Sequence, residues 1–132
     1  MTTTTNLELI ELESSLAEPE IILNDSLELV DRTLAGILTH NMTSDADYTL
    51  STATNLREWL YAVTKITDTS TNLTTTRNII VPTNTKIYIF VNATAQSLVL
   101  KTSAGTGITV ATNKTQYLYC DGTNVEAIAA AI

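Results

Sequence analysis

The sequence predicts a mainly β protein: an antiparallel β-sandwich or barrel-like domain preceded by an extended acidic arm and one short α-helix. Three observations carry that prediction. Thr fills 26 of the 132 positions, and its branched Cβ suits a half-buried pleated surface better than a helix. From residue 48 onward, short alternating apolar runs are separated by turn residues. Eight acids and no base stand in residues 1–31, against six acids and seven bases in residues 32–132, so the net charge of −7 divides into −8 and +1. The length suffices for one domain with a modest core. The boundaries it suggests are 1–23 for the arm, 24–39 for the helix and 40–132 for the β-domain.

Residues 1–5 form a polar Thr tract. Residues 6–17 (NLELIELESSLA) fit two patterns. Leu9, Leu12 and Leu16 have helical spacing, whereas Leu7 and Leu9 alternate as in a strand. Pro19 is expected to end any helix in this stretch. In either form the apolar side of the arm needs a partner, because about twelve residues make a marginal helix alone in water.

Residues 24–39 carry the clearest helical signal. Asn24 or Asp25 serves as the N-cap, with Glu28 three residues after Asp25 as in a capping box. Leu27, Val30, Leu34 and Ile37 then form one apolar stripe, widened by Leu38. The acids of the first turns are placed where the helix dipole favours them.

Eight strands are predicted next: Tyr48–Leu50, Glu58–Ile66, Asn78–Val81, Lys86–Asn92, Ser97–Lys101, Gly107–Ala111, Gln116–Cys120 and Asn124–Ile128. In the fourth, Ile87, Ile89 and Val91 share one face and Tyr88 and Phe90 the other, which predicts a strand covered on both sides. Leu118 and Cys120 oppose Tyr117 and Tyr119 in the same way. Asp121-Gly122-Thr123-Asn124 is a strong hairpin signal, and Gly105-Thr106-Gly107 reads as a turn needing positive φ. Short strands at this spacing suggest a sandwich or barrel. No internal repeat stands out.

The chemistry-bearing residues are few. His40 is the only histidine, and next to a helix end it reads as a capping or surface residue rather than a catalytic base. Cys120 is the only cysteine. It excludes an intrachain disulfide and reads as a packed strand residue. Asp45, Asp47, Asp68 and Asp121 lack any Ca²⁺-loop spacing and read as turn or cap residues. Gly105-Thr106-Gly107 lacks the Lys-Ser/Thr step and following helix of a phosphate loop. Of the aromatic residues, Trp59 is the candidate surface contact. No cofactor or metal is called for, and nucleic-acid binding is disfavoured because no Lys/Arg cluster exists to meet phosphates. No apolar run is long enough to span a membrane. Met-Thr-Thr-Thr-Thr-Asn lacks the basic and apolar regions of a signal peptide.

The stretch Arg77–Ile128 resembles a small β-module found in structural proteins of tailed bacteriophages. The matching residues are Val81-Pro82, Lys101-Thr102, Gly105-Thr106-Gly107, Val110, Lys114-Thr115 and the run from Leu118 to Val125 (LYCDGTNV). The segment EIILNDSLELVDRTL is more loosely similar to the N-terminal part of the same group. The resemblance implies a non-enzymatic virion protein made in the host cytoplasm. The expected role is a capsid decoration or cement subunit on the capsid surface, with homotrimeric assembly. In that reading the acidic arm contacts the major capsid protein or another virion protein through Leu7, Glu8, Leu9, Glu11, Leu12 and Glu13. The alternative is a fibre or receptor-binding module that recognises host glycan through Trp59 or the loops at 92–97 and 104–107.

Overall fold

The computed structural model describes residues 19–53 and 56–129. Helix α1 (Pro19–Ala35) leads into nine strands: β1 (Ile37–Asn41), β2 (Tyr48–Thr49), β3 (Val63–Thr67), β4 (Arg77–Val81), β5 (Lys86–Ala93), β6 (Leu98–Thr102), β7 (Gly107–Val110), β8 (Lys114–Cys120) and β9 (Val125–Ala127). A single 3₁₀ turn, Glu58–Leu60, precedes β3.

The strands form two sheets, ordered β1-β3-β5-β8-β9 and β2-β4-β6-β7. Up to β6 the chain alternates between them, so each strand comes to lie beside the one laid down a turn earlier. Such neighbours run the same way, and β1-β3-β5 and β2-β4-β6 are accordingly parallel. Only β5-β8, β6-β7 and β8-β9 are antiparallel. The expected purely antiparallel fold is therefore corrected to two mixed sheets. The crossover that a parallel pair requires is supplied here by a strand of the other sheet. In the five-stranded sheet the register advances by 26 residues at each turn, from Ile37 to Val63 to Ile89. A backbone repeat is thus present that the side chains do not spell out.

The helix differs as well. It spans Pro19–Ala35 rather than 24–39. Residues 6–17, the helix that Pro19 was expected to end, lie outside the described residues. Asn24 and Asp25 lie inside α1. Gly36 stops it: a Cβ there would crowd the Arg32 carbonyl oxygen and the Tyr61 ring. Ile37, Leu38 and His40 belong to β1. Among the described residues no helix is long and apolar enough to cross a membrane.

One core joins the inner faces of both sheets. Ile66, Tyr88, Phe90 and Leu118 reach it from one sheet, and Ile79, Leu98, Leu100 and Val110 from the other. Period-two alternation puts them there. β6 reads buried at Leu98, Leu100 and Thr102, and β8 at Gln116, Leu118 and Cys120. The predicted Glu58–Ile66 strand divides instead: its first part is the 3₁₀ turn that drives Trp59 and Leu60 fully into the core.

Two turns illustrate different uses of glycine. At the β8-β9 hairpin, Asp121 Oδ1 accepts from the amides of Thr123 and Asn124, both at 2.8 Å, and Gly122 takes φ +102. Gly105 has ordinary φ, contrary to expectation. It is required because a Cβ would overlap the Thr123 carbonyl oxygen and Thr102 Oγ1.

Candidate interaction surface

The five-stranded sheet has an inner face in the core and an outer face that α1 leaves largely open. Register places Ile37, Val63, Ile89 and Tyr117 in one row across β1, β3, β5 and β8, with Ile87 opposite Tyr119 beside it. Within the single chain Ile37 is 63% exposed, Ile87 64% and Ile128 53%, and Tyr117 and Tyr119 stand out on the same side of β8. The second cover predicted for β5 is therefore not provided by the described residues. Exposed apolar side chains thus gather on this face of the sheet.

Helix α1 adds to it. Leu29 is its buried anchor, whereas Leu23, Leu27 and Leu34 are exposed. Leu27 and Leu34 of the apolar stripe thus stand exposed. Arg32 fastens the C-terminal turn: Nη1 donates to the Leu56 carbonyl at 2.8 Å, and the guanidinium lies 4.8 Å from the Tyr61 ring centroid.

Between α1 and the ends of β5 and β8 runs a groove of about 750 Å³, lined by Thr33, Thr85, Lys86, Ile87, Tyr119, Cys120, Asp121 and Ile128. Lys86 is its half-buried cation. Its Nζ donates to the carbonyls of Tyr61 at 2.9 Å and Ile87 at 2.7 Å, and sits 4.3 Å from the Tyr88 ring centroid. Burial alone pulls its pKa down to about 8. No carboxylate is paired with it among the described residues. Sequence reasoning passed over Lys86. The available signal was its position at the start of a strand apolar on both faces.

The remaining polar clusters tie loops to strands. Asp45 accepts from Arg77 Nε at 2.9 Å and from the Thr74 amide and hydroxyl; the Arg77 bond comes first among the causes holding its carboxyl well below the usual range. Asp47 accepts from the Asn78 amide at 2.8 Å, and Asp68 from the amides of Asn72 and Leu73, both at 2.9 Å. The turn-and-cap reading of these acids holds. His40 lies on β1, stacked on Tyr48, rather than at a helix end.

Cys120 is buried, as its strand position suggested, with Sγ 3.7 Å from the Pro82 carbonyl oxygen, and burial pushes its thiol pKa up. Trp59 is a correction. It is fully buried and offers no surface contact. The first part of its predicted strand is the 3₁₀ turn Glu58–Leu60, in which the indole is buried. The arm residues Leu7, Glu8, Leu9, Glu11, Leu12 and Glu13 lie outside the described residues. No protein-family model, curated protein or solved structure matches the chain.

Proposed function

We propose that this chain is a non-enzymatic structural protein of a tailed-bacteriophage virion, a decoration or cement subunit that binds the outer capsid shell and stabilises it. The observation that carries the reading is the apolar face of the five-stranded sheet and α1, which the described residues leave uncovered. A domain this small, with five large apolar side chains exposed on one sheet and its flank, is suited to be one part of a larger assembly. The resemblance of residues 77–128 to the phage module supplies the kind of assembly. Homotrimeric self-association covers the apolar face. The acidic-apolar arm, Leu7, Glu8, Leu9, Glu11, Leu12 and Glu13, is the contact to the major capsid protein, where charge complementarity with a basic shell surface sets register and encounter rate. A host-glycan site at Trp59 is not open to a side chain with 0% exposure.

Cryo-electron localisation on assembled particles tests the reading. Density at regular lattice positions over the shell is the expected result, and absence from the particle overturns it. Deleting residues 1–20 should leave a folded protein that no longer binds capsids. Retained binding by that truncation removes the arm from the role.

A further inference from the structure

The outer face of the five-stranded sheet consists of two unlike halves. Val63 and Lys65 lie on it, because their neighbours Thr64 and Ile66 are buried on the inner face. Register sets Lys65 level with Thr39 on one side and with Val91 and then Thr115 on the other. At the far edge Glu126 is the cross-strand partner of Tyr119 and so shares the outer face with it. The β1–β3 half therefore carries Ile37, Val63 and one base. The β8–β9 half carries Tyr117, Tyr119, Ile128 and one acid. Neither Lys65 nor Glu126 has an ion-pair partner among the described residues. The charged groups of α1 nearest this face, Glu28, Asp31 and Arg32, gather at Tyr61, about 14 Å of extended chain from Lys65. Asp121, at the end of β8, adds to the acid half.

Charge decides which surface can cover these halves. Half against like half sets Lys65 against Lys65, or Glu126 against Glu126. Unlike halves set the base on the acid. Within one copy the two groups stand at opposite corners of the face, three strands and four residues apart, or about 20 Å, and do not meet.

We propose that the β8–β9 half of one copy packs on the β1–β3 half of the next, with Glu126 paired to Lys65. Each copy offers one half of each kind, so the contact runs head to tail and closes as a ring, the form of the homotrimer. The apolar side chains supply the affinity and the ion pair sets the register. A further copy is favoured over a foreign partner because the chain's own face carries both charges of the match. This deepens the self-association part of the proposed function and rests on that part, not on a place in the virion.

The test begins with sedimentation of the full chain. Wild-type protein is expected to form a trimer, and Ile37→Asp and Tyr117→Asp each to weaken association about tenfold or more while far-UV circular dichroism is unchanged. Each of these variants keeps one half intact, so their mixture is expected to form a heterodimer that stops at two chains. Carbodiimide coupling of the wild type, which joins an amine to a carboxylate in direct contact, should give a Lys65–Glu126 cross-linked peptide in mass spectrometry and a ladder ending at three chains. The swap Lys65→Glu with Glu126→Lys should restore association lost in either single variant, a rescue that misfolding would not show. Association that survives both Asp variants, with no Lys65–Glu126 cross-link, overturns this interface while leaving self-association standing. A ladder ending at two chains overturns the head-to-tail ring in the same way. A monomeric wild type overturns both. A monomer that associates only after residues 1–18 are deleted assigns the face to the chain's own N-terminal segment and likewise overturns the proposal.

Discussion

The rings of His40 and Tyr48 stack face to face, with centroids 3.7 Å apart and 16° between their planes, and so join an edge strand of one sheet to an edge strand of the other. The Tyr48 hydroxyl donates to Glu58 Oε1 at 2.7 Å, and the same oxygen accepts from the Ser51 amide at 2.8 Å. Burial and this bond push the Tyr48 pKa up to about 12. Burial lowers the His40 pKa below 6.5, opposed by the Glu58 charge. The unfolded chain therefore binds the proton more readily than the folded one. The contribution of neutral His40 is fully present above about pH 6.5 and is lost as the pH falls below it. His40→Phe, which keeps a ring to stack, should flatten the stability profile in that window. Tyr48→Phe should cost about 1–2 kcal/mol in urea denaturation, since it removes a donor to a carboxylate.

Asp45 and Asp47 titrate in the other acid window. Both carboxyls are held below their usual range, Asp45 chiefly by Arg77 and Asp47 chiefly by the Asn78 amide. A depressed folded-state pKa gives stability that is present above about pH 3.8 and is lost as the pH falls through the folded-state value. Asp45→Asn should lower the thermal midpoint at pH 7 and converge with the wild type at strongly acid pH. A constant gap across the whole range would show that the carboxylate charge is not the cause.

Trp59 is the single tryptophan, fully buried in the shared core. The folded protein should therefore emit at short wavelength and resist acrylamide quenching, with a red shift on unfolding. Trp59→Ala opens a cavity beside Leu60, and losses of this kind are about 3–5 kcal/mol. Denaturation followed by circular dichroism should show a loss of that size. A Trp59→Ala protein of wild-type stability would contradict the burial.

Side-chain periodicity made most strands of this fold legible. Leu98 and Leu100, or Leu118 and Cys120, share one face by period-two spacing, and that face is the buried one. Strand direction was not legible, because alternation is the same in parallel and antiparallel pairs. The 26-residue advance from Ile37 to Val63 to Ile89 is carried by backbone register with no recurring side-chain motif. β1 was hidden because Ile37 and Leu38 continue the helical spacing of Leu34, and only Gly36 marks the break. Spacing shows that Leu27 and Leu34 share a side, but not whether that side meets this chain or another.

The two glycine turns should respond differently to alanine. At Gly122 a Cβ finds space, its nearest neighbours being 3.8 and 3.9 Å away, but φ is +102, so Gly122→Ala should cost about 1–2 kcal/mol through backbone strain. At Gly105 the obstacle is the Thr123 carbonyl oxygen itself. Backbone must move, and the Thr102 and Asn124 bonds to residues 105 and 106 move with it. Gly105→Ala should therefore be the more destabilising of the two in matched denaturation curves. The reverse order would place the strain rather than the close approach in control.

Lys86 links stability to pH. With its pKa pulled down to about 8 from 10.5 by burial, the amine should titrate near 8 when followed by NMR of its side chain in dilute protein. The unfolded chain then binds more protons than the folded one between pH 8 and 10.5, so the Lys86 contribution rises with pH across that interval. Lys86→Met should remove this rise.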